Sequence, residues 1–271
     1  ELYDEQRCIE SSRFTGQNSG VTLWCYVAMN FIFMGHAEKA RAAAAKALEI
    51  GRTINRSFDI TFALHHVAWV EQYWGQGERV VEVASEEFAL AEQHGYLFWQ
   101  AEGLPCRSYG HLLLGNFEQA AADATEGMAR LTGTGSPLAL YQFHTTLAEV
   151  SLRRGNPEEA LTRINEALES ASKCLNRFMI AETHRLKGEI LLAIPDRSPA
   201  AAHTEFRTAL ETAREQKAKL WELRTAMSLF RLWNSDSVGE DPRADLQSVC
   251  DWFTESDDLP DLVEARRATA T

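Results

Sequence analysis

The sequence lacks the features by which membrane proteins and nucleic-acid-binding proteins are recognised. No apolar run approaches the ~18 residues that a membrane-spanning helix needs, so we expect none of the chain to cross a membrane. Basic residues are scarce, with 27 lysines and arginines against 39 aspartates and glutamates, and no basic run interrupts the net charge of −12. Such a surface would repel a phosphate backbone, and we therefore predict no nucleic-acid partner.

Catalytic and metal-binding motifs are also missing. The five cysteines are odd in number and widely scattered, at Cys8, Cys25, Cys106, Cys174 and Cys250. No two of them have the spacing of metal ligands, and we interpret them as reduced, mostly buried thiols of a cytoplasmic protein. There is no glycine-rich phosphate loop and no nucleophile elbow, so the sequence predicts no cofactor, no metal and no catalytic residue.

The sequence does contain a repeat with a period of forty residues. Glycines recur at this spacing, at Gly35, Gly75, Gly115 and Gly155, and three positions after each stands a glutamate, at Glu38, Glu78, Glu118 and Glu158. Apolar residues on both sides of each glycine are spaced by three and four, the period of an α-helix. Glycine suits the end of one helix and a carboxylate suits the first turn of the next, so each unit is predicted to be helix–turn–helix.

A second set of small residues identifies the repeat type. These residues recur every forty positions on the first helix of each pair, at Ala28, Ala68, Ser108, Ala148, Gly188 and Ser228. Together with the small residue twelve positions later on the second helix, they resemble the tetratricopeptide repeat. We predict an all-α fold, a tetratricopeptide-like right-handed superhelical solenoid of about six helix pairs. Because repeat two carries Glu71 and Glu87 at positions that are otherwise apolar or small, we expect it to be shifted or bent.

The period predicts a single helical-repeat domain over residues 1–271. Its repeats lie near 17–55, 57–95, 97–135, 137–175, 177–217 and 219–257, with a capping helix over 259–270. The chain starts at Glu1 rather than at a methionine, and its first pattern has no preceding cap. We therefore expect it to be a fragment of a larger protein.

The C-terminal part of the chain carries a more specific likeness to a known family. The segments "AETHRLKGEILLA" (181–193), "FRTALETAREQKAKLWELRTAMSLFRLW" (206–233) and "WFTESDDLPDLVEA" (252–265) resemble the C-terminal tetratricopeptide-like region of bacterial multidomain signalling proteins. In that family an adenylate/guanylate cyclase or another output domain precedes a predicted signal-transduction ATPase and then this region. The resemblance implies a non-catalytic regulatory module in the cytoplasm, acting on its own upstream ATPase and cyclase domains. Gln17 and Asn18 replace a His-Asp pair of the family, so no role of that pair is carried over.

The repeat type places an inner, concave groove along the first helix of each pair. The register of the small residues predicts the side chains that line it: Phe33, Phe62, His65, Trp69, Tyr73, Glu102, Tyr109, Glu149, Arg153, Glu182, Arg185 and Glu189. This groove is aromatic toward the N-terminus and charged toward the C-terminus. The aromatic residues would form an exposed recognition patch. The alternative is that they pack between repeats, as aromatic residues at helical spacing commonly do.

The remaining polar residues on the first helices are interpreted as structural. His144 and His184 are forty residues apart and fall at a packing position between paired helices, so we interpret them as satisfied core histidines. His65 and His66 are adjacent and point about 100° apart on a helix, so they cannot bind one metal together. Lys187 is expected to lie along apolar neighbours with its ammonium in solvent.

Three functions follow from these patterns. The leading hypothesis is a non-catalytic regulatory or sensor domain that binds a protein, a peptide or a small effector in its groove and controls an upstream cyclase or ATPase. The alternative is a structural assembly module that forms homo-oligomers of a signalling protein. A free-standing enzyme is the least supported of the three.

Overall fold

The computed structural model describes residues 16–136, 138–174, 178–255 and 257–270, together with residues 4, 7, 8, 10, 12 and 14. No strand occurs in these ranges, and the predicted all-α class is confirmed. From residue 16 onward the helices are α1 (Ser19–Phe33), α2 (Ala37–Thr53), α3 (Ser57–Tyr73), α4 (Gly77–His94), α5 (Leu97–Leu113), α6 (Phe117–Thr134), α7 (Leu140–Arg153), α8 (Pro157–Cys174), α9 (Ile180–Ala193), α10 (Pro199–Gln216), α11 (Lys219–Asp236), α12 (Arg243–Trp252) and α13 (Pro260–Thr269). The predicted repeat starts at 137 and 177 and the Cys174 side chain lie outside the described residues. None of the described helices is long and apolar enough to cross a membrane.

The repeating glycines end the first helix of each pair, as predicted. Gly35, Gly75, Gly115 and Gly155 have φ angles of 87°, 74°, 75° and 77°, in the left-handed region that a side chain disfavours. The glutamates three positions later lie in the first turns of α2, α4, α6 and α8, where a carboxylate suits the positive end of the helix. The forty-residue period therefore sets both the ends and the starts of these helices.

The small residues on the first helices allow the paired helix to approach closely. A Cβ atom added at Gly188 of α9 would collide with the ring of Phe206 on α10. At the equivalent position of α5, the hydroxyl of Ser108 donates a hydrogen bond of 2.7 Å to the carbonyl oxygen of Ala120 on α6. Side chains at these positions are fully buried, so the predicted contact between the two helices of a pair is confirmed.

The helices form two compact units. The first consists of Glu1–Ile32 and His36–Ser136, and the second of Phe33–Gly35 and Pro137–Thr271. From α2 onward, consecutive helices of each unit pack against each other, and so do the first helices of neighbouring repeats: α3 with α5, α7 with α9, and α9 with α11. The predicted organisation of residues 1–271 as one domain stays a prediction.

Repeat two keeps its helices despite its two unusual glutamates. Both α3 and α4 have the lengths that the period predicts, so neither glutamate interrupts the repeat. Glu71 accepts a hydrogen bond of 3.0 Å from Nε of Arg41 on α2. Glu87 is fully buried and faces His65 on α3. Both glutamates therefore have polar partners on adjacent helices, and the expected shift or bend of this repeat stays a prediction.

The described cysteines agree with the sequence interpretation. Cys25, Cys106 and Cys250 are buried, and Cys8 is half-buried. No disulfide joins the cysteines in the part of the chain that the structure describes.

Candidate functional site

In the first unit, two predicted groove residues, His65 and Glu102, group with a buried glutamate, Glu87. We call His65 of α3, Glu87 of α4 and Glu102 of α5 the histidine–glutamate cluster. Each is at most 7% exposed. Nδ1 of His65 lies 3.2 Å from Oε1 of Glu87, without the alignment of a hydrogen bond. Gly103 makes room for Glu87, because a Cβ atom there would lie only 3.2 Å from the Glu87 carboxyl carbon.

Aromatic rings enclose this cluster. The centroid of the His65 ring lies 5.7 Å from that of Trp69 and 5.4 Å from that of Trp99. Phe62 and Tyr73 continue the row, and the exposed fraction of all four aromatic side chains is between 3% and 9%. These rings therefore pack between the first helices of neighbouring repeats, which agrees with the alternative interpretation, and their contact with a partner stays a prediction.

Burial dominates the protonation of the cluster. It raises the pKa of Glu102 to about 7, an effect that His65 opposes and Glu87 reinforces. Burial also raises the pKa of Glu87, and His65 offsets part of this. For His65, burial alone lowers the pKa, but the two glutamates outweigh it and the pKa is raised. The neighbouring His66 has its pKa lowered to about 3 by burial and by His65. Of the three side chains of the cluster, Glu102 therefore titrates near neutral pH.

The surroundings of the cluster do not offer a nucleophile or a metal site. Burial raises the pKa of the Cys106 thiol well above its usual range, so the reactive thiolate form is suppressed. Among the described residues, no three or more His, Cys, Asp or Glu side chains are arranged to hold a metal ion.

The second unit contains a partly buried network of ion pairs on its first helices. We call Glu182, Arg185 and Glu189 of α9, with Arg224 and Ser228 of α11, the charged row. Nε of Arg185 donates to Oε2 of Glu182 at 2.7 Å, and Nη1 of Arg185 donates to Oε1 of Glu189 at 3.3 Å. The three α9 side chains therefore pair with one another, with Arg185 between the two glutamates.

The charged row continues onto the next repeat. Nη1 of Arg224 donates to Oε1 of Glu182 at 3.2 Å, and the Ser228 hydroxyl donates to Oε1 of Glu189 at 2.6 Å. Burial opposes ionisation of Glu182, but Arg185 and Arg224 outweigh it and hold the pKa of this carboxyl below its usual range. Glu182 therefore keeps its charge at neutral pH despite its burial.

The sequence analysis did not identify Arg224 or its second partner, Asp261 of α13. Nη2 of Arg224 lies 2.9 Å from Oδ2 of Asp261. Arg224 occupies the repeat position of His144 and His184, which the spacing assigns to packing between helices. The charge of Arg224 at a position assigned to packing was the signal in the sequence that could have identified it. Ser228 was identified only as a small residue, and its hydroxyl serves the network as well.

The other predicted groove residues are dispersed. On α7, Nη2 of Arg153 lies 3.2 Å from Oε1 of Glu149, and burial raises the pKa of Glu149. Phe33, which groups with the second unit, packs at 5.5 Å between ring centroids against Phe178 and against Trp221. Tyr109 is half-buried on α5. Their membership of one ligand groove stays a prediction.

The two packing histidines face glutamates on the second helix of their own pair. Nδ1 of His184 lies 2.7 Å from Oε2 of Glu205, and Nδ1 of His144 lies 3.0 Å from Oε2 of Glu166. Lys187 differs from the expectation, because its ammonium pairs with Oε1 of Glu205 at 2.9 Å instead of reaching solvent. Glu205 therefore contacts two side chains of α9 that face α10, His184 and Lys187.

The sequence comparisons do not show a family for this chain. No family model matches it. An uncharacterised protein of Rhizobium meliloti is 24% identical over 235 residues, which are 85% of this chain and 22% of the relative. The chain thus spans about a fifth of the length of the curated relative that it matches.

Solved structures show the fold class. The Rap conjugation gene regulator of plasmid pLS20, in complex with the Phr* peptide, superposes with a TM-score of 0.68 at 11% identity, covering 92% of this chain and 73% of that one. A Rap protein complexed with competence and sporulation factor gives a TM-score of 0.66 at 10% identity, covering 93% and 74%. The predicted tetratricopeptide-like helical-repeat fold is confirmed. The predicted cyclase and ATPase domains of a parent protein stay a prediction.

Proposed function

We propose that the chain is a non-catalytic, cytoplasmic regulatory module that binds a peptide or a segment of a protein along its first helices. The observation that carries this proposal is the charged row of the second unit. Its side chains are partly buried and joined by ion pairs and hydrogen bonds, so they are held in fixed positions on two neighbouring first helices. Fixed donors and acceptors of this kind give specificity to recognition of a polar peptide backbone and its side chains.

The fold likeness supports the same proposal. Two of the similar structures are complexes with a peptide or factor, and both cover more than nine-tenths of this chain. We further propose that occupancy of the first helices controls a nucleotide cyclase or an ATPase elsewhere in a longer parent protein. The curated relative, of which the chain spans 22%, is long enough to contain further domains of this kind.

Selection of peptides from a random library tests the proposal directly. The chain is immobilised, bound peptides are selected, and hydrogen exchange of α7, α9 and α11 is measured with and without the strongest peptide. We expect the first helices to gain protection, because they carry the charged row. Protection confined to second helices, or no selected peptide, would count against the proposal.

A matched pair of variants gives the control. Glu189→Gln removes one charge from the row, because Glu189 accepts from both Arg185 and Ser228. We expect this substitution to lower the affinity for the selected peptide by about tenfold, the typical effect of one lost charge-assisted hydrogen bond. Glu169→Gln removes an exposed carboxylate from the second helix α8, where Lys173 is its partner, and should leave the affinity unchanged.

A further inference from the structure

A cavity of about 460 Å³ lies where α10 ends and α11 begins. Its lining residues all belong to the second unit: Met34, Arg214, Lys217, Lys219, Glu222 and Trp252. None of them belongs to the charged row or to the histidine–glutamate cluster. The volume is within the range of about 300 to 1,000 Å³ that is usual for small-ligand sites.

The charges around the cavity leave one cation without a partner. Glu222 is bound by Arg214 at 3.0 Å and by Lys219 at 2.6 Å, and Arg214 also pairs with Asp245 at 3.1 Å. The exposed side chain of Lys217 makes no ion pair or hydrogen bond with any residue that the structure describes. In a chain of net charge −12, this cavity is therefore a local site of positive charge.

The backbone of Lys217 is in a conformation that a lysine disfavours. Lys217 caps α10 with φ 55° and ψ 31°, in the left-handed region. The caps of α4 and α6 have the same conformation, and there the residue is glycine: Gly95 with φ 70° and Gly135 with φ 72°. A lysine at this repeat position gives up the conformational advantage of glycine, and such local strain is typical of residues kept for function.

The other side of the cavity is apolar. Trp252 is 46% exposed, and its indole N–H donates to the carbonyl oxygen of Met34 at 3.0 Å. Because the N–H is satisfied, the exposed part of the ring is available for apolar contact. Lys219 lies 4.9 Å above the ring centroid, so the cationic and apolar parts of the site adjoin.

We propose that this cavity binds a carboxylate-bearing peptide segment, with Lys217 pairing with the carboxylate and Trp252 contacting an adjacent apolar side chain. The site goes beyond the function proposed for the charged row and is independent of it. Loss of binding here leaves peptide selection on the first helices intact, and the reverse also holds.

The probe is the acetylated tripeptide Ac-Leu-Glu-Glu, and the readout is the indole ¹H–¹⁵N signal of Trp252, assigned with Trp252→Phe. We expect the tripeptide to shift this signal with saturation. The neutral analogue Ac-Leu-Gln-Gln-amide and inorganic phosphate should leave it in place. Phosphate that binds as tightly as the tripeptide would overturn the assignment to a carboxylate beside an apolar group.

Lys217→Gly separates binding from structure. Glycine removes the ammonium and relieves the left-handed backbone, so we expect affinity for the tripeptide to fall about tenfold while the melting temperature rises by about 2 °C. Lys217→Gln should lose affinity in the same way without gaining stability. Lys173→Gln, in the last turn of the preceding second helix α8, is the matched control and should bind like the wild type.

Two results would overturn the proposal. One is a Trp252 signal that does not move up to about 10 mM tripeptide, well above the ~1 mM dissociation constant of weak binding. The other is a Lys217→Gly protein that is folded, as its melting temperature shows, and still binds the tripeptide with wild-type affinity.

Discussion

A single buried glutamate in repeat two shows how a local departure from the repeat pattern is accommodated. Glu87 stands where other repeats have an apolar residue, and burial of a charge is costly unless a partner compensates. His65 on the facing helix supplies that partner, and Gly103 leaves space for the carboxylate. The departure therefore places a buried histidine–glutamate contact inside the first unit rather than a break in the helix.

Glu102→Gln should be more stabilising at high pH than at low pH. Burial raises the pKa of Glu102 to about 7, against 4.5 for an ordinary glutamate. Between these values the folded protein keeps a proton that the unfolded chain releases, so this residue lowers the free energy of unfolding as pH rises. Glutamine imitates the protonated form. We measure the free energy of unfolding of both proteins in urea. The value for the variant, relative to the wild type, should increase by about 1 to 3 kcal/mol between pH 5 and pH 8.

Comparison with the wild type cancels the contributions of groups that do not interact with Glu102, whereas His65 and Glu87 interact with it. The lowered pKa of His66 gives the opposite slope below pH 6.5, but it is present in both proteins and cancels in the difference. Glu169→Gln is the control, because Lys173 lowers the pKa of Glu169 and keeps it ionised throughout. A difference for Glu102→Gln that stays constant with pH would contradict this account.

At the scale of the helix, the approach of paired helices rests on small residues. Gly188 of α9 meets the ring of Phe206, and Phe206 is fully buried in a cluster with Ala202, Leu191 and Leu210. A side chain at Gly188 must displace this ring or separate α9 from α10. Packing of the pair is therefore sensitive to a single methyl group.

Gly188→Ala should destabilise the chain by about 1 to 3 kcal/mol, because overpacking in a filled core forces side chains out of their preferred rotamers. Thermal unfolding followed by circular dichroism should show a melting temperature lower by about 2 to 10 °C. Gly133→Ala is the matched control. Gly133 is also helical, but a Cβ atom there meets nothing within 4 Å, so the variant should be neutral or slightly more stable. Equal destabilisation by both substitutions would show that the Phe206 contact does not explain the effect.

The helices were largely predictable and the side-chain partners were not. A forty-residue spacing of glycines and small residues determines where each helix ends and which face meets its pair, as at Gly155 and Gly188. The same spacing does not specify which polar groups meet across helices. Lys187 was expected in solvent but pairs with Glu205, and Arg224 joins residues of α9 and α13 that are far apart in sequence. Such partners depend on rotamers and on three-dimensional neighbours that periodicity does not contain.

At the scale of the whole molecule, charge decides between a binding module and an assembly module. Copies with a net charge of −12 repel each other, so self-association requires a large complementary interface. We expect sedimentation equilibrium to give the mass of a single chain over the whole accessible concentration range at moderate salt. A mass that rises toward a dimer with concentration would favour the assembly alternative, and repetition at high salt would show whether charge alone prevents association.

The equal φ angles of Gly35, Gly75, Gly115 and Gly155, all between 74° and 87°, have a consequence for how such a chain can arise and change. Because each joint has the same backbone geometry, a segment between two of these glycines can be duplicated or deleted without altering the direction in which the following helix starts. Unequal recombination within the gene would then yield products that still fold, with more or fewer repeats. Surface residues such as Lys217 could diverge in each copy while the joints stay interchangeable.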